Sequence, residues 1–174
     1  MYLRDPIHGL IGFDAPEDDL VLALLDTAEV QRLRRVRQLG VANIAFHGAE
    51  HTRFSHVVGA AHVMKRLVGW LRASSMDLGP AERLDADRIR DAVAAALVHD
   101  LGHGPFSHLF EVALPGARSH EAWTADILLD PSTEVNRVLA RFGADRAERI
   151  VSILRGQYAP AYVSRAVSGP LDVD

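Results

Sequence analysis

What most constrains this chain is an apolar stretch that stops abruptly at a polar cluster. Ile89-Arg90-Asp91-Ala92-Val93-Ala94-Ala95-Ala96-Leu97-Val98 is built of small and apolar residues that fit a helix buried on most of its faces. Directly after it comes His99-Asp100-Leu101-Gly102-His103-Gly104-Pro105-Phe106-Ser107-His108, which holds three of the nine histidines within ten residues. Gly102 reads as a helix C-cap, and Gly104-Pro105 cannot continue a helix. Adjacent residues in a last helical turn sit about 100° apart around the axis. The side chains of His99 and Asp100 can therefore converge on one point beyond the helix end. A neutral imidazole and a carboxylate suit a first-row divalent metal. The plainer alternative is a polar helix terminus in which the two residues cap carbonyls or pair with each other.

With 174 residues the chain fits one domain, 1–174, and can bury a core. Its 48% hydrophobic content sets disorder aside, and a net charge of -4 argues against coating nucleic acid through bulk charge. The absence of cysteine excludes disulfides and thiolate metal sites. The N-terminus Met1-Tyr2-Leu3-Arg4-Asp5-Pro6 has no signal-peptide apolar run, and no apolar run reaches the length of a membrane span. A soluble cytoplasmic protein is expected.

Residues 1–14 read as a short hairpin-like segment, with turn signals at Asp5-Pro6 and His8-Gly9 and with Ile11 and Phe13 alternating outside them. Helices are expected over 17–25 and 29–39, the second ended by Gly40. That second helix carries Arg32, Arg34, Arg35 and Arg37, which read either as a solvated basic face or as an anion-binding one. A loop over 40–52 leads into a long helix over 53–74, whose apolar stripe includes His56, while His62 falls on a face that meets solvent. A polar break over 77–85 precedes the central helix. Further helices are expected over 119–129, 132–142 and 144–154, and the tail from 156 to 174 shows no clear periodicity. The fold class is all-α, with the short N-terminal hairpin as its only strand-like element.

Four histidines lie between 47 and 62 and four between 99 and 120. If His56 faces the same cavity as His99 and Asp100, three ligands come from two helices, leaving room for water and substrate. A fourth, carboxylate ligand would have to come from elsewhere, and the chain offers Asp172 and Asp174.

These residues also form an ordered series: Asp5-Pro6-Ile7-His8-Gly9, Gln31-Arg32-Leu33-Arg34 through Gln38-Leu39-Gly40, Arg53-Phe54-Ser55-His56, the stretch from His99 to His108, Ser119-His120-Glu121 and Leu171-Asp172-Val173-Asp174. In this the chain resembles the HD-domain metal phosphohydrolases, and within them the deoxynucleoside triphosphate triphosphohydrolase branch. The resemblance implies an HD-domain helical bundle whose metal ligands are His56, His99, Asp100 and Asp174. The metal would be one of iron, manganese, magnesium, zinc, cobalt or nickel. It places Arg53 on substrate phosphate and His103 and His108 near the phosphate chain, and it pairs His120 with the acidic Glu111. Gln38 and Leu39 would pack against the deoxyribose, with Asp172 a further substrate contact. Asp26, Gln31 and Arg34 match positions that hold an activating nucleotide in some members. Members continue beyond the residue matching Asp174, so 1–174 is expected to be the N-terminal part of a longer architecture that assembles as a homo-oligomer.

The expected reaction is metal-dependent hydrolysis of a deoxynucleoside triphosphate to the deoxynucleoside and tripolyphosphate. Two alternatives stand beside it. One keeps the metal site but takes a nucleoside monophosphate or another phosphate ester. The other is a nucleotide-binding regulatory module that turns nothing over.

Overall fold

The computed structural model describes residues 1–74, 79, 82–106, 108–114, 116–169 and 172–173. The N-terminus forms a two-stranded antiparallel ribbon, β1 (Tyr2–Asp5) and β2 (Gly9–Gly12), with Leu3 opposite Ile11. Its turn is organised by Asp5, whose carboxylate accepts from the backbone nitrogens of Ile7 and His8 at 2.9 Å each. Gly9 takes a left-handed φ of 74°, a conformation cheap only for glycine. The alternation read in the sequence is realised, since Ile11 and Phe13 are both fully buried.

Two short helices follow, α1 (Asp19–Leu25) and α2 (Ala28–Arg32), the latter tightening into a 3-10 turn at Leu33–Arg35. A single helix over 29–39 is therefore not formed. Val36 turns extended (φ -110°, ψ 116°), its carbonyl accepts from Arg53 N at 2.8 Å, and Gln38 N donates to the His51 carbonyl at 3.1 Å. Long-range backbone pairing overrides the local helical pattern there, and the loop that follows contains a brief 3-10 turn at Ala42–Ile44. The helix α3 (Arg53–Ser74) matches its expected span.

Next come α4 (Ala86–Val98), α5 (His108–Ala113), α6 (His120–Leu129), α7 (Glu134–Phe142), α8 (Arg146–Leu154) and α9 (Ala161–Ser168). Side-chain caps open three of them. Asp85 accepts from Arg88 N at 2.8 Å, Ser119 from Ala122 N at 3.3 Å and Thr133 from Asn136 N at 3.1 Å, each cap contributing about 1 kcal/mol. The last helix was not legible as periodicity, although Val163 and Val167 fall one turn apart and both are buried. Part of the polar break read over 77–85 lies outside the described residues.

The axis of the fold is α4. It packs against α1, α3, α8 and α9, and residues 91–98 are all buried, which explains its run of alanines: neighbours on every side leave room for little else. Its one buried charge, Asp91, is met by Arg146, by Arg149 Nε at 2.7 Å and by the Tyr158 hydroxyl at 3.5 Å. Burial first, and the Asp91 charge second, push the Tyr158 phenol up to about 12. The architecture is mostly helical with one small N-terminal hairpin, as the patterning implied. No helix among the described residues is long and apolar enough to cross a membrane.

Candidate metal and phosphate site

The last turn of α4 does not end on a left-handed glycine. His99 is still helical, with φ -57°, and Gly102 is small for a different reason. A Cβ there would overlap the His120 carbonyl and come within 2.6 Å of Thr124 N and 2.8 Å of Trp123 Cβ. The glycine thus permits the N-terminus of α6 to press against the loop leaving α4. Thr124, buried on α6, fastens that contact: its hydroxyl accepts from Gly102 N at 2.8 Å and donates to the His99 carbonyl at 3.0 Å.

At this junction α3 and α4 bring His56, His99 and Asp100 together. His56 Nε2 lies 3.2 Å from His99 Nε2, and Asp100 carboxylate oxygens lie 3.6 Å and 3.4 Å from those two nitrogens. Two nitrogens bound at about 2.1 Å to one ion in tetrahedral or octahedral geometry stand about 3.0–3.4 Å apart, so the spacing fits a shared divalent metal. The His99 Nδ1 lies 2.9 Å from the Ala96 carbonyl, which as donor assigns the ring proton to Nδ1 and leaves Nε2 as the lone-pair nitrogen. The three donors fit the metal that the sequence implied, with no thiolate in the set. The fourth predicted ligand, Asp174, lies outside the described residues.

Arg53, the first residue of α3, is buried and pairs with Asp100 Oδ2. Burial pushes the Asp100 carboxyl up, but His99, Arg53, His103 and His56 together outweigh it and hold the pKa below the usual carboxylate range.

A second group of imidazoles adjoins the first. His103 Nε2 lies 3.4 Å from Asp100 Oδ1, and its ring stacks on His120 with centroids 3.9 Å apart and planes inclined by 15°. His108 meets both rings edge-on, at 4.9 Å and 5.0 Å. Burial, opposed by the Asp100 charge, drives the His103 imidazole down to about 3, so it is neutral near pH 7. Glu111, on α5, accepts from the His120 backbone nitrogen at 2.8 Å and lies 2.9 Å from its Nδ1. This is the acidic pairing the sequence suggested.

Arg53, His99, Asp100, His103, His108 and His120 all line one cavity of about 490 Å³, together with Gln38 and Asp172. Its far wall consists of Val151, Leu154 and Arg155 from α8 and Val167 and Ser168 from α9. No sequence motif marked those residues, because they belong to helices that look like ordinary core. The Gln38 Oε1 is buried with no hydrogen-bond partner among the described residues. Leu39, by contrast, is half exposed and is not part of the cavity wall.

The proposed activator residues lie elsewhere. Gln31 donates to the Leu25 carbonyl at 2.6 Å and accepts from Arg34 Nε at 2.7 Å, and the Arg34 guanidinium lies 3.5 Å over the Phe54 ring. Asp26 opens onto a separate groove lined by Glu134, Arg137 and Arg141. All four arginines between 32 and 37 are exposed, as a solvated face requires, although Arg37 also pairs with Glu50 and Arg32 reaches the carbonyls of Leu101 and His103. His62, expected to meet solvent, is half-buried with its ring 5.5 Å from that of His8.

Comparison with known proteins gives the family. The family model for the HD domain matches residues 53–157. The uncharacterized protein YwfO of Bacillus subtilis (strain 168) is 37% identical over 171 residues, covering 98% of this chain and 37% of its own length. Deoxynucleoside triphosphate triphosphohydrolase SAMHD1 of Bos taurus is 42% identical over 123 residues, 70% of this chain and 20% of that protein. The Danio rerio SAMHD1 is 33% identical over 177 residues, 97% of this chain and 26% of its own length. Among solved structures, a phosphohydrolase from Bacteroides thetaiotaomicron VPI-5482 superposes with a TM-score of 0.79 at 26% identity, over 99% of this chain and 39% of that one. This chain thus spans well under half the length of these relatives. The chain belongs to the HD-domain phosphohydrolases, in the branch that contains the deoxynucleoside triphosphate triphosphohydrolases.

Proposed function

We propose that this protein hydrolyses deoxynucleoside triphosphates to the deoxynucleoside and inorganic tripolyphosphate. The observation that carries the reading is the shared cavity, in which His99 and Asp100 of the three-donor group adjoin Arg53 and the His103, His108 and His120 cluster. A triphosphate is a run of anionic groups, and this wall offers one buried guanidinium and three imidazoles beside a metal position. The identity of the relatives supports the substrate class.

A bound divalent metal, held by His56, His99, Asp100 and the proposed ligand Asp174, would supply Lewis acidity and a lowered pKa for water. The chain's own residues do the rest. Arg53 offsets charge on the phosphate oxygens as it builds up. Water adds its oxygen to the α-phosphorus, the bond from that phosphorus to the 5′ oxygen breaks, and the departing oxygen takes a proton from His108 or His120. Glu111 steadies His120 for that task, and neutral His103 contributes hydrogen bonding to phosphate without a competing charge. Gln38 and Asp172, which line the cavity, contact the sugar together with Leu39.

Asp26, Gln31 and Arg34 form, in this reading, a place for an activating nucleotide, and the protein works as a cytoplasmic homo-oligomer. Exposed Leu39, Val41, Ile44 and Phe46 on the 36–52 segment, with Leu109 and Val112 on α5, support self-assembly. The test is a metal-supplemented panel of the four deoxynucleoside triphosphates and their ribose counterparts, with products resolved by phosphorus NMR. Tripolyphosphate from the deoxy set, absent in Asp100→Ala, supports the assignment. Pyrophosphate or phosphate as the first product overturns it in favour of another phosphate ester. Binding without any product overturns it in favour of a regulatory module.

A further inference from the structure

We propose that Arg32 is a positioning residue of this site: its guanidinium grips the backbone carbonyls on both sides of Gly102 and thereby fixes the His103 imidazole between Asp100 and His120. The inference rests on the proposed phosphohydrolase reading only for its kinetic consequence.

Arg32 is the last residue of α2, remote in sequence from the catalytic loop. Its Nη1 donates to the His103 carbonyl at 2.9 Å and its Nη2 to the Leu101 carbonyl at 2.5 Å. Those two acceptors flank a single residue, and a planar fork of donors matches such a pair where a point-charge ammonium does not. The loop needs an external restraint, because His103 sits between Gly102 and Gly104, neither of which restricts its own backbone. On the opposite side, the Thr124 hydroxyl holds Gly102 N and the His99 carbonyl. Residues 99–103 are thus gripped from α2 and from α6 at once. Between those grips the His103 ring meets Asp100 at 3.4 Å and lies stacked on His120. Losing the Arg32 grip frees the loop at 101–103, while His56 stays on α3 and the His99 carbonyl stays held by Thr124.

The test uses Arg32→Lys and Arg32→Gln in the zinc- or magnesium-loaded protein. Three quantities are read: metal content, the nitrogen-proton correlation spectrum of the imidazoles, and kcat separately from KM. The His103 signals are assigned through His103→Gln. Expected are wild-type metal content, displaced or tautomer-averaged His103 signals, and a kcat loss of about tenfold or more with KM within about threefold. Arg32→Lys restores little, since one ammonium cannot hold both carbonyls. A simple stability effect would leave the His103 signals of the folded variants in place. Wild-type His103 signals and wild-type kcat in both variants overturn the proposal. If the unmodified protein turns over no triphosphate, the substrate reading falls by itself, and the imidazole spectrum alone decides the role of Arg32. If Arg32→Gln is insoluble, Arg32→Lys gives the same reading, as it keeps the charge.

Discussion

The imidazole of His120 lies flat on that of His103, 3.9 Å between centroids, and Glu111 grips the outer ring through both Nδ1 and the backbone nitrogen. One carboxylate therefore sets the tautomer of His120 and anchors the start of α6. The arrangement joins a rigid helix end to a ring that must stay in register with its neighbour.

Replacing that carboxylate tests the arrangement. Glu111→Gln keeps the shape but weakens the hold on Nδ1, and outer hydrogen-bond partners of this kind are worth about 10- to 100-fold in activity. We expect turnover to fall by about tenfold with metal content unchanged, read by steady-state kinetics beside elemental analysis.

Asp100 belongs to the candidate metal group and also meets buried Arg53 and His103. Removing it leaves a guanidinium buried without this carboxylate, a class of change that costs about 3–5 kcal/mol. Asp100→Ala is expected to lose bound metal and to melt several degrees lower even when metal-free. Denaturant unfolding of the metal-free proteins checks the second effect, and equal midpoints would refute it.

Gly102→Ala forces a methyl group into the His120 carbonyl. Overpacking of this sort costs about 1–3 kcal/mol, and here the neighbour is backbone, which yields least. The variant should be less stable by at least about 2 kcal/mol and should lose turnover more than stability alone explains. Chemical denaturation and activity at low temperature separate the two effects.

His62 gives a pH dependence away from the metal site. Burial first, then His8, Arg66 and Lys65, lower its pKa below 6.5, with Asp5 pulling weakly the other way. Its Nδ1 is buried without a partner among the described residues. The folded state binds the proton less readily than the unfolded chain, so stability is fully present above about pH 6.5 and declines as pH falls through that value. His62→Gln should flatten the change in unfolding free energy between pH 7.5 and about 5.5, measured by urea titration at both ends.

The helices of this fold were largely legible because their signals are local. The run 53–74 buries Phe54, Val57, Ala61, Met64 and Val68 at helical spacing, and the alanines of 92–96 can only sit where neighbours crowd from every side. The His99-Asp100 pair was legible for the same reason, since adjacency at a helix end allows convergence. The segment 36–39 departs from its helical pattern because a backbone pairing with residues 51–53 competes with it, and such a partner is invisible locally. α9 was missed because its two apolar turns are too short to form a period.

The sequence by itself determined the buried axial helix, the polar cluster at its end and the order of the candidate metal ligands, all properties of neighbours along the chain. Only the tertiary structure decided that His56 meets His99, that α8 and α9 close the far side of the cavity, that Gly102 is a contact point rather than a cap, and that Arg32 reaches the Leu101 and His103 carbonyls. Each of these depends on which surfaces pack together across tens of residues. Side-chain volume and hydrogen-bond partners, not local propensity, settle that choice.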